Sequence, residues 1–300
     1  MWYLYSLFGL TVKTEIPFAQ NTTTDKTVDV TVEYGLVPEH LPNAVQEGIL
    51  FQASPEAFLL KVDRIARYFV SGGNRIVIKP EQNAHEDDIR LFLMGSVMGA
   101  LLHQRSFLPL HASAVEINGK CVLFTGPSGR GKSTLAAGFA RRGTSLFADD
   151  ICAVSIDKKG SPRVVPGFEQ LKLWEDTLSE LDLDVGLLKS VRFGKTLKKY
   201  YLPVSQFRNT TSPVHSVFVL DTHNEPHILI SQFKGMQKIE AIIENTYRVN
   251  FLDGFKRRQQ HFDLCKKMAE AVSIYHIARP HKPHPFDLDG LIHKVEACLS

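Results

Sequence analysis

The chain has only four cysteines in 300 residues, Cys121, Cys152, Cys265 and Cys298. None forms a CxxC pair, which removes the usual zinc-ribbon and redox motifs and gives no disulfide framework; reduced thiols in a cytoplasmic protein are the expectation. Charge of one sign is also lacking, since a formal net charge of +3 is too small to argue for a nucleic-acid partner. No low-complexity tract or internal repeat is present. The opening stretch Met1–Leu10 is apolar, but it is too short to cross a bilayer and has no basic leader, so it reads as an N-terminal strand. The longer apolar stretch from Ile89 to Leu102 is interrupted by Arg90, Ser96, Gly95 and Gly99, and Asp87, Asp88, His103 and Arg105 flank it with the charges a helix dipole favours. It reads as a buried helix, and neither a membrane nor a nucleic acid is expected as a partner.

Against these absences stands one dense motif. Gly126-Pro127-Ser128-Gly129-Arg130-Gly131-Lys132-Ser133-Thr134 fits GxxxxGK[ST] at every required position. Cys121–Phe124 reads as a short buried strand leading in, and Leu135, Ala136, Phe139 and Ala140 give helical apolar spacing leading out. The glycines let successive N–H groups turn toward phosphate oxygens, and the helix beginning near Lys132 adds its positive end. Lys132 supplies a charge to the β- and γ-phosphates, and the Ser133 hydroxyl is a Mg²⁺ ligand. The residues expected to hold the nucleotide are Gly126, Ser128, Gly129, Arg130, Gly131, Lys132, Ser133 and Thr134, with ATP and Mg²⁺ as cofactors.

The length allows one large or two smaller domains. Val28, Val30, Val32 and Tyr34 alternate with polar residues as a half-buried strand does. Arg67–Val70 and Arg75–Ile78 flank the turn cluster Ser71-Gly72-Gly73-Asn74, a hairpin signal. A sheet-rich N-terminal domain is therefore expected over residues 1–84. From 85 to 300 strands and helices alternate, with strands at 145–148, 151–156 and 216–220 and a final helix carrying Leu288, Leu291, Ile292, Val295 and Leu299 behind a cap at Asp287.

Phosphoryl transfer needs a carboxylate for the metal and a group to take the proton of the attacking hydroxyl. Asp149 and Asp150, after the loop helix, can divide that labour. Asp221, at the end of the apolar run Val217–Leu220, is the other candidate, although Thr222, His223 and Asn224 behind it suggest a strand-terminal turn. Two basic stretches, Lys189, Arg192, Lys195, Lys198, Lys199 and then Lys256, Arg257, Arg258, read either as solvated faces or as phosphate contacts. His281 and His284 lack partners at ligand spacing and read as an exposed loop.

Leu110-His111-Ala112-Ser113-Ala114-Val115, the glycine loop and Phe147-Ala148-Asp149-Asp150 together resemble the bacterial HPr serine kinase/phosphorylase family, over roughly residues 108 to 155. The resemblance implies an α/β, phosphoenolpyruvate-carboxykinase-like P-loop kinase core. It also implies that Asp149 accepts the proton, that Asp150 is its neighbour in the family's acid pair, that His111 stands beside the reacting centre, and that Glu175 is an acidic metal-associated residue. The catalytic set is then Asp149, His111 and Lys132, and the metal set Ser133, Asp150 and Glu175. Pro127 and Thr134 stand where the family's loop carries acids, and the glycine-rich signature of the bifunctional enzymes is missing. The N-terminal part and the Leu171–Asp176 segment look more like the branch whose members phosphorylate a C-terminal serine of lasso-peptide precursors. The expected activity is an ATP-dependent serine kinase acting on a peptide or small protein; a small-molecule P-loop kinase and a non-catalytic nucleotide-binding regulator are the alternatives.

Overall fold

A computed structural model describes residues 1–18, 27–181, 183–192, 198–281 and 287–299. The chain divides into two compact units, Met1–Pro109 with Val191–Leu197 and Arg248–Asp263, and Leu110–Ser190 with Lys198–Tyr247 and Leu264–Ser300.

The first unit is built on an eight-stranded sheet. Its strands are β1 (Tyr3–Leu7), β2 (Leu10–Thr14), β3 (Val30–Tyr34), β4 (Gln46–Glu47), β5 (Phe51–Ala53), β6 (Ala57–Val62), β7 (Ala66–Ser71) and β8 (Arg75–Pro80), in the order β1-β2-β3-β8-β7-β6-β5-β4. The expected hairpin is β7–β8, paired antiparallel from Ala66↔Pro80 to Ser71↔Arg75, with Gly72 and Gly73 at positive φ in the turn. The apolar helix is α1 (Glu86–Phe92), a π turn over Leu93–Val97, and α2 (Met98–Gln104). The π turn departs from the uniform helix expected, and its irregular residue is Gly95, where no side chain opposes the distortion.

This helix falls within the first unit, whereas the expected division lay at residue 84. The Tyr68 hydroxyl donates to Ile89 O (3.1 Å), Arg90 Nε to Pro17 O (2.8 Å), and Gly73 N–H to Gln104 Oε1 (3.0 Å), so the helix is tied to the sheet by its polar groups as well as its apolar ones. Of the cations at 256–258, Lys256 is exposed and the two arginines pair within this unit. Arg257 donates to His103 O (3.3 Å) and Ser106 Oγ (3.0 Å), and Arg258 pairs with Asp253 at 2.6 Å.

The second unit carries β9 (Leu108–Leu110, shared at its start with the first), β10 (Ala112–Ile117), β11 (Lys120–Thr125), α3 (Lys132–Arg141), β12 (Leu146–Ala148), β13 (Cys152–Ile156) and β14 (Pro162–Val164). It continues with β15 (Gln170–Trp174), α4 (Glu175–Glu180), β16 (Lys189–Ser190), β17 (Lys199–Pro203), β18 (Ser212–His223), β19 (Leu229–Gln232), α5 (Met236–Glu244), α6 (Phe251–Phe255, in the first unit), α7 (Arg258–Ala271, beginning in the first unit), β20 (Ser273–Pro280) and α8 (Leu288–Ala297). Asp287 caps α8 by accepting from Gly290 N–H, as expected.

Asn118 and Gly119, both at positive φ, close the antiparallel β10–β11 hairpin in two residues. On its far side β11 runs parallel to β18, and β18 parallel to β20. Strand β12 pairs antiparallel with β10, aligning Ala148 with Ala114. Three segments distant in sequence are thereby delivered to one end of the sheet: His111 just before β10 with Ser113 in it, the glycine loop after β11, and Asp149-Asp150 after β12. Phe124, Phe139, Phe218, Leu135, Leu173 and Leu291 fill the core that holds them.

Candidate active site

The glycine loop joins β11 to α3 with Gly126, Gly129 and Gly131 at φ +132°, +82° and +97°. At Gly126 a Cβ would lie 2.3 Å from the Leu220 carbonyl oxygen of β18, so both the backbone conformation and the close approach require glycine. We expect Gly126→Ala to cost about 2 kcal/mol or more and to abolish nucleotide binding, read as a lowered Tm and a flat titration. Helix α3 has no side-chain cap at its N-terminus, which leaves its first N–H groups facing the loop.

Lys132 is buried, and its ammonium donates to the carbonyl oxygens of Gly126 (2.8 Å) and Pro127 (3.0 Å). Burial, against the opposing charges of Asp149 and Asp150, lowers its pKa from 10.5 to about 8. A buried cation whose hydrogen-bond partners are carbonyl dipoles fits a phosphate group. We expect its titration to make nucleotide affinity pH-dependent. Anion binding favours the protonated form, so affinity is full below pH 8 and falls as pH rises through about 8; Lys132→Met flattens that profile, as calorimetric titrations between pH 6 and 10 would record.

Asp149, also buried, accepts three hydrogen bonds. Its Oδ1 accepts from Ser133 Oγ (2.9 Å) and Ser113 Oγ (2.6 Å), and its Oδ2 from the Lys172 backbone N–H (2.9 Å). The side chain is thus fixed against the glycine loop by three separate strands and helices. Asp150 occupies the left-handed region at φ +71°, in a tight turn closed by Ile151 N–H donating to Asp149 O (2.9 Å). That turn sends the two carboxylates to different neighbours. Burial opposes charge on Asp150, but Lys172 Nζ at 2.9 Å and the charge of Lys199 outweigh it, and the Asp150 pKa lies well below the usual carboxylate range. The same contact raises the pKa of the Lys172 ammonium in spite of its burial.

His111 Nδ1 lies 3.0 Å from the Asp150 carbonyl oxygen. A carbonyl oxygen only accepts, so Nδ1 carries the proton and Nε2 keeps its lone pair. Burial first, and then the charge of Lys132, lower the His111 pKa and favour this neutral form. The His111 ring stands 6.1 Å from that of Tyr247.

The structure therefore brings Lys132, Ser133, Asp149, Asp150 and His111 together. It places other expected residues differently. Thr134 is buried with its hydroxyl 3.2 Å from Thr177 Oγ1, so its side chain joins α3 to α4 instead of facing the loop. Arg130 turns toward β18, donating to Thr222 Oγ1 (2.7 Å) beside Asp221 Oδ1 (3.3 Å); Ser128 is exposed. Glu175 is held by Lys198 at 2.5 Å, and none of its contacts among the described residues reaches Ser133 or the aspartate pair. Asp150 contacts Lys172 and His111 where a metal role beside Ser133 was expected, and it is Asp149 that contacts Ser133. Asp221 lies within β18 and not in a terminal turn, because pairing with β20 carries the strand on to His223. His281 is exposed, whereas His284 and Lys195 lie outside the described residues.

Sequence reasoning missed Ser113 and Lys172. Ser113 is fully buried, and the only signal was its place two residues after His111 on the same strand edge. No group of three or more His, Cys, Asp or Glu side chains is clustered as a metal cage among the described residues, and no helix among them is long and apolar enough to cross a membrane.

No family model and no curated protein sequence matches the chain. Among solved structures it is similar to one described as the HPr(Ser) kinase/phosphatase from Coxiella burnetii, at 14% identity and a TM-score of 0.32, over 64% of this chain and 89% of that one.

Proposed function

We propose that the chain is an ATP-dependent kinase that moves the γ-phosphoryl group to a serine hydroxyl of a peptide or small protein. The narrowest form of this reading, drawn from the sequence resemblance, has the C-terminal serine of a lasso-peptide precursor as acceptor. The observation that carries the reading is the hydrogen bond from Ser133 to Asp149, beside the buried ammonium of Lys132 at a helix N-terminus. A phosphate cup and a carboxylate are joined in one constellation.

Ser133 Oγ and Asp149 Oδ1 are hard oxygen donors 2.9 Å apart, a set that suits Mg²⁺ arriving with phosphate oxygens. When bound, Mg²⁺ neutralises charge on the β- and γ-phosphates. The loop N–H groups and Lys132 bind the triphosphate. The serine oxygen forms a bond to Pγ as the bond from Pγ to the ADP oxygen breaks, and the hydroxyl proton passes to Asp149. Asp150, held ionised by Lys172, is a weak base. Through its turn it fixes the direction of Asp149, and through its carbonyl the tautomer of His111, whose Nε2 is free to accept a hydrogen bond from the incoming hydroxyl. Buried Ser113 and the Lys172 N–H hold Asp149 in one rotamer.

The test is incubation with γ-labelled ATP and Mg²⁺ in the presence of serine-ending peptides, small proteins and a metabolite panel. Label on a serine hydroxyl, lost in Asp149→Asn, is the expected result. Label on metabolites alone defines a small-molecule kinase, and tight nucleotide binding with no transfer defines a regulator; either outcome replaces this reading.

A further inference from the structure

We propose that Lys199 is the cation that meets the transferring phosphoryl group from the Asp150 side of the site. This rests on the kinase reading above and adds to it a residue that the glycine loop does not supply.

Strands β15, β17 and β16 form a separate three-stranded antiparallel sheet, in that order. Its register pairs Lys172 with Tyr201 and Trp174 with Lys199, and directly opposed residues of an antiparallel pair share a face. The alternate face carries Leu171, Leu173, Tyr200 and Leu202, which pack into the core. The face bearing Lys199 is therefore fixed by burial of the other, and Lys172 Nζ, 2.9 Å from Asp150 Oδ2, fixes where it looks.

On that face the Lys199 ammonium stands 5.5 Å from the Trp174 ring centroid. No hydrogen bond or ion pair holds it among the described residues, whereas its neighbour Lys198 is paired with Glu175 at 2.5 Å. Its charge acts on Lys132 and on Asp150 alike, so it lies within electrostatic reach of both the phosphate cup and the aspartate pair. Lys132 opposes the charges of Asp149 and Asp150, Lys172 and Lys199 oppose Asp150, and His111 is favoured neutral, which leaves one cation more than the carboxylates balance. An excess positive charge in a partly buried site calls for an anion. In phosphoryl transfer the charge to be met is that spread over the equatorial oxygens of the group in flight, and a cation preorganised there acts on the transition state more than on bound ATP.

The test needs no acceptor. The full-length chain is titrated with ADP and Mg²⁺, and then with ADP, Mg²⁺ and aluminium fluoride, which mimics the phosphoryl group in transfer. Wild type is expected to bind the fluoride complex more tightly than ADP. K199M should keep ADP affinity within about threefold and weaken the fluoride complex by about 30-fold or more, while K199R retains most of the gain. Unchanged ADP affinity also reports that the variant is folded. The proposal is overturned if K199M binds the fluoride complex like wild type, if both affinities fall together, or if wild type gains nothing from fluoride. Failure of wild type to bind ADP at all overturns the kinase reading itself, and is thereby distinguished from failure of the role given to Lys199.

Discussion

Lys132→Met is expected to lower phosphoryl transfer by about 10³-fold or more, measured in single turnover at saturating nucleotide. Several terms fall together. The ammonium is the buried cation at the mouth of α3, and without it the glycine loop has only its N–H groups to offer a phosphate. The same substitution should not destabilise the protein. Burial depresses the Lys132 pKa from 10.5 to about 8, so between those pH values the unfolded chain binds more protons than the folded one, and stability rises with pH across that window. Methionine removes the buried charge and with it this slope. A Tm at pH 7 that is unchanged or raised, together with lost transfer, separates a functional lysine from a structural one.

Asp149→Asn should reduce transfer by about 10²- to 10⁴-fold, the range expected for removal of a proton acceptor. The amide is nearly isosteric, and with its oxygen toward the Lys172 N–H its NH2 can donate to the Ser113 and Ser133 hydroxyls, so the substitution removes the proton acceptor while keeping the packing. The contact with Ser133 adds a second signature. If Asp149 shares the metal with Ser133, the Mg²⁺ concentration for half-maximal activity rises in the variant as well as kcat falling; a residue acting solely as base lowers kcat alone. Asp150→Asn provides the contrast. It strips Lys172 of its counter-charge and leaves a buried cation unpaired, so it should lower Tm more than Asp149→Asn does.

Much of this was legible in the sequence, where a local pattern has one dominant cause. The glycine loop was legible because GxxxxGK[ST] encodes a backbone conformation, and Gly126 shows why: a side chain there would meet the Leu220 carbonyl. The β7–β8 hairpin and the Asp287 cap were legible because two or three neighbouring residues determine each. The limits of the first unit were not, because attachment of α1 and α2 to its sheet depends on Tyr68, Pro17 and Gly73, contacts that no window around residue 84 contains. The acid pair could be found but not apportioned. Adjacent aspartates in a regular strand would point to opposite faces, and only the left-handed turn at Asp150 decides which one faces Ser133. Glu175 went to Lys198 and Thr134 to Thr177 for the same reason, since both partners lie far along the chain on elements whose register the sequence does not display. Ser113 and Lys172 carry no motif of their own and emerge only once β10 and β15 are set beside Asp149.

Calorimetric titration of ATP with and without Mg²⁺ decides whether Lys132, Ser133 and Asp149 form one site for a nucleotide and its metal. The expected dissociation constant is below about 1 mM, strengthened by Mg²⁺ in the wild type, no longer strengthened by it in Asp149→Asn, and weakened in Lys132→Met. Absence of binding at millimolar ATP, or binding that neither substitution alters, would contradict it.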